Sequence, residues 1–242
     1  MKKSLLLLAS FASFLVLVAS PANALSLGQV DTFFDGAGGN LNWVNGASQV
    51  SVIGSGGPGG AGDAYLQVTS TGGGGAGSRL VAQNYQVPPS FISQWVGNYI
   101  STGVNAISFD LLNQSAVTLT MRLAFKTDTG QGASGYLSQA VTIAPGGGWQ
   151  HFSIAITSAA MTAIGGPAAY STFFAGNFTE MRFINEAGNS NLNGDPVAAV
   201  LGIDNIAAVP EPTTLALGAA GLVYLGSRVL RRKLRVRDVT AL

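Results

Sequence analysis

The residues of this chain that can transfer protons are a single histidine, His151, and a small set of carboxylates. A serine hydrolase needs a nucleophile and an acid arranged around an imidazole base, and no spacing around His151 marks such a set. Glycoside hydrolysis needs two carboxylates that are close in space but not at any fixed spacing in the sequence. Asp110 and Asp128 are candidates for such a pair, by elimination only. The absence of cysteine excludes thiolate metal sites, cysteine nucleophiles and a disulfide scaffold. These residues predict a protein that is not an enzyme.

Aromatic side chains offer a second kind of chemistry, the stacking of sugar rings on flat faces. Most large aromatic residues of a β-protein belong to its core, so each one is first expected to pack there. In "WQHFSIAI" the alternation directs Phe152 and Ile154 inward and sends Trp149 outward on the face of His151. Trp149 is therefore the candidate ligand-binding residue.

β-strands must position these side chains, because apolar residues alternate with period two along most of the chain. In "VTLTMRLAF" the inward set runs from Val117 to Phe125 at every second residue. Similar runs are "AISFDLL", "WQHFSIAI", "QVSVI", "AYLQV", "AVTIA", "MRFIN" and "LGIDNIAAV". Eight or more short strands with Gly, Asn and Pro turns predict an all-β protein, an antiparallel β-sandwich of the jelly-roll type. The segments "PSFISQWVGNYI" and "AAMTAIGGPAAY" are candidates for short helices.

A glycine-rich stretch, Gly54 to Gly59, fits the dinucleotide-binding pattern G-x-G-x-x-G. That pattern binds a pyrophosphate only where a helix follows it, because the helix N-terminus holds the anion. Here Pro58 and further glycines lead into another strand-like run. The stretch is therefore predicted to be a loop.

The charges divide sharply between the central region and the C-terminal end. Residues 25–209 contain nine acidic and four basic side chains, a net charge of −5. The C-terminal end, by contrast, carries a cluster of cations: Arg228, Arg231, Arg232, Lys233, Arg235 and Arg237. The domain itself offers no basic face, so nucleic acid is not an expected partner.

The first 24 residues have the three parts of a secretory signal peptide. Two lysines precede an apolar run, and Ala22 and Ala24 then match the small-x-small cleavage rule. A retained membrane helix is the alternative, but the apolar run is short for a span. The sequence predicts cleavage after Ala24 and a mature chain that begins at Leu25.

The C-terminal end is predicted to form a single transmembrane helix. Thr213 to Ser227 is uncharged, and a helix that continues to Leu230 can direct the Arg228 side chain to the interface. Its length of about eighteen residues is near the lower limit for a spanning helix. The cationic group that follows would stay cytoplasmic and leave the acidic domain outside. The alternatives are an amphipathic surface helix and an ordinary buried helix.

Pro210, Glu211 and Pro212, followed by that helix and the arginines, resemble the PEP-CTERM sorting signal of Gram-negative bacteria. The resemblance covers residues 210–242 and departs from the pattern in its longer ending, "VRDVTAL". It implies processing by an exosortase near the Pro-Glu-Pro triplet, with the inner membrane as a transient stage. It further implies export to the cell surface or matrix and an association with extracellular polysaccharide and biofilm.

The order of features in residues 25–209 resembles the jelly-roll domains of carbohydrate-binding modules and laminin-B-like proteins. The features are "DTFFDGAGGNLNW", "GGAGDAYLQVTSTGGGGAGSRL", "ISFDLL", "GGGWQHFSIAI" and "GIDNIAAV". The resemblance implies a structural calcium ion that ties the first strand to the last, bound by Asp204 and by Asp31 or Asp35. Phe34 stands where these families usually have Glu. Calcium binds several hard oxygen ligands, and Asp63 is a further candidate; the alternative is that these aspartates cap turns.

Three functions remain from the sequence. The first is an exported surface or matrix protein with a structural or adhesive role. The second is a carbohydrate-binding module, with or without calcium. The third, more remote, is an extracellular glycoside hydrolase.

Overall fold

The computed structural model describes residues 25–44, 49–72, 81–85, 93–127, 134–188 and 191–210. In these ranges the chain forms two antiparallel sheets of six strands each, which confirms the predicted β-sandwich and is consistent with a jelly roll. The strands are β1 (Val30–Asp31), β2 (Gln49–Ile53), β3 (Tyr65–Thr71), β4 (Val81–Tyr85), β5 (Ala106–Asn113), β6 (Leu119–Lys126), β7 (Gly135–Leu137), β8 (Val141–Ile143), β9 (Gln150–Ala155), β10 (Thr162–Ile164), β11 (Glu180–Asn185) and β12 (Ala198–Val209). Two one-turn helices, α1 (Tyr99–Thr102) and α2 (Tyr170–Phe173), complete the described elements.

The first sheet has the strand order β2-β3-β12-β5-β9, and β1 also pairs with β12. The last strand of the described fold is thus the central one. Its register on β5 shifts between Asp204 and Ala207, where Asn205 adopts a φ of 51°. This bulge turns the side chains on either side of it and sets the position of Asp204 on the sheet.

The second sheet has the order β10-β7-β6-β11-β4, and β8 pairs with the other end of β6. Strands β6 and β11 are its centre, with Lys126 opposite Glu180 and Phe125 opposite Met181. Because side chains alternate between the two faces of a strand, Phe125 and Met181 enter the core while Lys126 and Glu180 face away from it.

The core lies between the inner faces of the sheets. Leu119, Met121, Leu123 and Phe125 are buried as the alternation predicts. Val117 is an exception, because it precedes β6 and is 43% exposed. At one end a group of aromatic rings packs together, mostly edge to face, while Phe173 and Phe178 stack in parallel: Tyr99, Phe125, Tyr136, Tyr170, Phe173, Phe174 and Phe178. Each buried ring contributes on the order of 2 kcal/mol through burial alone.

The helices differ from the expected segments. Only the end of "PSFISQWVGNYI" enters α1, where Asn98 accepts a hydrogen bond from the Ser101 backbone N–H as the N-cap. In "AAMTAIGGPAAY" three residues form the edge strand β10, and α2 begins only at the final tyrosine.

Both targeting segments lie outside the described residues. They comprise residues 1–24 with Ala22 and Ala24, and the tail from Glu211 onward with Pro212 and the six cations. Pro210 follows directly on β12. No helix in the described ranges is long and apolar enough to cross a bilayer.

Candidate functional site

Trp149 is held in one orientation on the outer face of the first sheet. Its indole Nε1 donates a hydrogen bond of 2.8 Å to the Gly56 carbonyl oxygen, and its ring meets Tyr65 edge-on at a centroid distance of 5.1 Å. Gly202 on β12 lies beneath it, and a Cβ there would come within 3.0 Å of the indole. Glycine at this position therefore lets the ring lie close to the sheet.

Trp149 remains partly exposed, whereas the two other tryptophans, Trp43 and Trp95, are fully buried. The prediction that it faces away from the core with His151 agrees with its position beside the outward-facing Tyr65. The structure adds that the ring is fixed at its edges by backbone and side-chain contacts.

The glycine-rich loop that accepts the indole hydrogen bond is organised by Asp63. Its Oδ2 accepts from the Gly59 N–H at 2.6 Å, and its backbone oxygen accepts from the Gly57 N–H at 2.8 Å. A Cβ on Gly57 would lie 2.5 Å from the Asp63 carboxylate, so the turn needs glycine there. The loop leads into β3 and not into a helix, as the sequence indicates.

His151 and Asp110 form a pair across β9 and β5. The histidine Nδ1 lies 2.8 Å from Asp110 Oδ1, and Asn205 donates from Nδ2 to the other carboxylate oxygen at 2.7 Å. The His151 side chain is 65% exposed, which agrees with its predicted outward direction. No serine or threonine hydroxyl in the described ranges hydrogen-bonds to this imidazole.

Sequence reasoning placed both His151 and Asp110 outward but did not bring them together. The alternation in "AISFDLL" and "WQHFSIAI" fixes the face of each strand. Pairing of β5 with β9 is a long-range event that periodicity does not encode. An assumed antiparallel register between these two runs was the only signal that would have found the pair.

Asp204 is fully buried, and its two oxygens differ. Oδ1 accepts from the Asn205 backbone N–H at 2.8 Å, while Oδ2 has no hydrogen-bond partner among the described residues. Burial raises the pKa of this carboxyl to about 6; the hydrogen bond from the Asn205 backbone lowers it, and the Asp63 and Asp110 carboxylates raise it further. A buried acceptor without a donor, close to other carboxylates, favours a proton or a cation.

Asp31 plays a different part from Asp204. Its Oδ2 accepts from the indoles of Trp43 at 2.7 Å and Trp95 at 2.8 Å, and its Oδ1 accepts from Gln94. Burial raises the pKa of Asp31, and the two indole donors counteract that rise. This carboxylate joins β1 to two loops and is engaged by protein donors.

The three carboxylates expected to bind calcium are not gathered into one cluster. Asp35 is exposed and lies close to Gly54, while Asp31 is occupied by the two indoles. In the described ranges no group of three or more His, Asp or Glu side chains is placed to hold a metal ion. Asp204 alone of the set fits the chemistry, because it has a buried oxygen without a donor, and calcium binding stays a prediction.

Comparison with known proteins shows likeness at the level of the fold. No known protein family and no curated protein sequence matches the chain. A solved exo-β-agarase structure matches with a TM-score of 0.50 at 12% identity, over 77% of this chain and 25% of that one. The family 11 carbohydrate-binding module of Clostridium thermocellum, in complex with a β-1,3-1,4-mixed-linked tetrasaccharide, has a TM-score of 0.43 at 17% identity, over 76% and 97% of the two chains. At these identities the agarase match shows a shared sandwich fold.

Proposed function

We propose that this chain is an exported, non-catalytic protein of the cell surface or extracellular matrix, and that it binds carbohydrate at Trp149. The observation that supports the proposal is the fixed, partly exposed indole over Gly202, oriented by the Gly56 carbonyl oxygen. A rigid aromatic face loses little entropy when an apolar sugar face stacks on it. Exo-β-agarase acts on a polysaccharide, but its structural likeness to this chain concerns the fold only.

Polar groups around the indole suit a ligand rich in hydroxyl groups. The Gln67 side chain donates to Gln114 at 2.9 Å, and Gln114 reaches the Tyr65 hydroxyl. The paired His151 and Asp110 lie on the same outer face. A partly apolar surface with a few oriented polar groups is typical of small-molecule binding sites.

Export and sorting form the second part of the proposal. Residues 1–24 act as a cleaved signal peptide, and the tail from Pro210 acts as an exosortase substrate that holds the protein at the inner membrane of a Gram-negative bacterium until it is processed. Mass spectrometry of the protein in each cell fraction tests this part. We expect no peptide beyond the Pro-Glu-Pro triplet in the extracellular fraction, and an intact tail through Leu242 in every fraction would contradict sorting.

A calcium ion is the third part, and Asp204 supports it. The free Oδ2 of Asp204 would supply one hard oxygen, and backbone carbonyls with Asp63 would supply others. When bound, the ion would neutralise the Asp204 carboxylate, whose pKa is raised by burial first and then by the nearby Asp63 and Asp110 carboxylates. Such an ion would brace β12 and the Asp63 loop, and thereby the surface around Trp149.

The binding experiment uses sedimentation with insoluble polysaccharide, namely agarose and the extracellular polysaccharide of the host. We expect saturable binding by the wild-type protein and at least a tenfold weaker affinity for Trp149→Ala. The control is Ile100→Ala, which removes an apolar side chain that is 48% exposed on helix α1, away from Trp149 in the sequence. Equal binding by all three proteins would refute the Trp149 site, and no binding by the folded wild type would refute carbohydrate binding.

A further inference from the structure

Two charged side chains are fully buried on the outer face of the second sheet. Lys126 on β6 and Glu180 on β11 stand directly opposite each other, and neither has measurable solvent exposure. Outer-face positions of a sheet normally meet water, so a buried lysine and a buried glutamate there need an explanation. The cover over them includes the segment that follows β11.

That segment brings Asn193 onto the lysine. Leu192 packs against Ala124, Leu137 and Ile184 and fixes the segment to the sheet. The Lys126 Nζ donates to Asn193 Oδ1 at 2.9 Å.

Backbone hydrogen bonds fix the segment around Asn193. Its backbone N–H donates to Asn191 Oδ1 at 2.9 Å, and the Asp195 N–H donates to the Asn185 carbonyl oxygen at 2.7 Å. A Cβ on Gly194 would come within 3.1 Å of both Asn185 O and Ile184 Cβ, so glycine permits this close approach. The carboxamide is therefore presented to the amine by a fixed backbone.

Glu180 and Arg182 complete the arrangement. Glu180 Oε1 pairs with the Arg182 Nε, and Arg182 also donates from a terminal nitrogen to Asn193 Oδ1 at 3.1 Å. The second glutamate oxygen, Oε2, is buried and has no hydrogen-bond partner among the described residues.

We propose that Lys126 and Asn193 join through an intramolecular isopeptide bond, with Glu180 as the proton carrier. The observation behind this is the meeting of a buried amine, a carboxamide at 2.9 Å from it and a carboxylate with one oxygen free. Reacting groups held in contact in a fixed geometry gain the largest rate advantage from proximity. The proposal is independent of carbohydrate binding.

The reaction balances without any oxidant or reductant. The Lys126 ammonium passes a proton to Glu180, and the neutral amine attacks Asn193 Cγ to form a new C–N bond. Negative charge develops on Oδ1, where Arg182 already donates a hydrogen bond. Glu180 then returns its proton to the amide nitrogen, the Cγ–Nδ2 bond breaks, and ammonia leaves with the remaining proton as ammonium.

The buried setting favours each step. Burial of Lys126 and Glu180 keeps solvent away from the amine and from the proton carrier. The product would replace a buried lysine charge with a neutral amide that keeps an acceptor oxygen beside Arg182.

The test is mass spectrometry of the full chain purified from its host and of a recombinant chain, both in denaturing solvent. We expect the folded wild type to lack one molecule of ammonia and to yield a branched peptide joining residues 126 and 193 after digestion. Glu180→Gln keeps the size of the side chain but not its proton transfer, and should retain the full mass. Circular dichroism checks that this variant is folded.

A rescue variant separates chemistry from folding. Asn193→Asp leaves the same carbonyl carbon, so it should form the same branched peptide with loss of water in place of ammonia. Lys126→Met should give no branched peptide. A folded wild type that retains its full mass after long incubation would overturn the bond, and a branched peptide in Glu180→Gln would overturn the role of Glu180.

Discussion

Asp204 and Asp110 stand opposite each other in the register of β12 and β5, and Asp204 has no solvent exposure. Both carboxylate oxygens of Asp110 are hydrogen-bonded, one to His151 and one to Asn205, whereas one oxygen of Asp204 has no donor. The fold therefore stabilises a protonated Asp204 over a charged one. Replacement or neutralisation of this single group should change the stability of the whole sandwich.

Asp204→Asn is expected to raise the free energy of unfolding near pH 7, in chelator, by about 3 kcal/mol. The folded pKa of about 6 exceeds the unfolded value of 3.8, so the folded state binds a proton that the unfolded state releases. Wild-type stability should consequently fall as the pH rises from about 4 to about 6. Urea unfolding across this window measures the effect.

The difference in pH-dependent stability between the wild type and Asp204→Asn reports on Asp204 alone. Asp31 also has a raised pKa, but it is present in both proteins and its contribution cancels. If the free energy of unfolding changed with pH in the same way for the wild type and Asp204→Asn, the prediction would be wrong, because Asp204 would then be neutralised or solvated in the folded protein.

Calcium is expected to raise the melting temperature of the wild type at neutral pH, and a chelator should reverse the rise. An ion that binds only the folded state stabilises it in proportion to the logarithm of its concentration over Kd. Asp204→Asn should lose this response, whereas Asp35→Asn, at an exposed carboxylate, should keep it. A wild type that melts identically in calcium and in chelator would rule out the site.

Asp63→Ala is expected to release the indole of Trp149. The Asp63 carboxylate holds the glycine-rich loop, and the loop supplies the Gly56 oxygen to which the indole donates. Acrylamide quenching of tryptophan fluorescence reports on this residue, because Trp43 and Trp95 are fully buried.

We expect roughly twofold stronger quenching in Asp63→Ala and weaker binding to polysaccharide. The reason is that the indole would lose a hydrogen bond that contributes about 1 kcal/mol to its placement. Gly202→Ala should give a similar rise in quenching, because its Cβ would displace the indole from the sheet. Unchanged quenching in both variants would mean that the contacts seen at Trp149 do not hold it in solution.

The crosslink predicts a large difference in stability between wild type and Glu180→Gln. A covalent bond between residues 67 positions apart restricts the unfolded chain as a disulfide does, an effect of about 4 kcal/mol for a loop of this length. Urea unfolding should therefore show a strong loss in Glu180→Gln that Asn193→Asp does not share. Equal stability of all three proteins would contradict a bond that constrains the unfolded chain.

Most of the sheet structure was accessible from the sequence, because alternation is a local signal. Every one of the eight strand-like runs corresponds to a strand. Strands β7 and β10 have three residues each and stand outside any longer apolar run of the kind that contains β8, and β4 has a polar sequence. Val117 was wrongly assigned to the core because the periodic pattern continues past the point at which pairing stops.

The sites were less accessible, since they depend on which strands become neighbours. His151 and Asp110 meet only because β9 pairs with β5, and Lys126 and Asn193 are separated by most of the second half of the chain. The resemblance to carbohydrate-binding modules implies a calcium-binding role for Asp31, whereas in the structure two tryptophans far apart in sequence donate to it. Hydrogen-bond partners of this kind follow from tertiary structure and not from spacing.

The central place of β12 in the first sheet has a consequence for how the chain comes to be folded. A polypeptide that emerges from a ribosome or a membrane pore with its N-terminus first releases β3 and β5 long before the strand that joins them. Until residue 209 is free, the first sheet consists of two separate halves with unpaired edges. Strand order therefore makes the pairing of the two halves of the first sheet wait for residues 198–209, the last strand to be delivered.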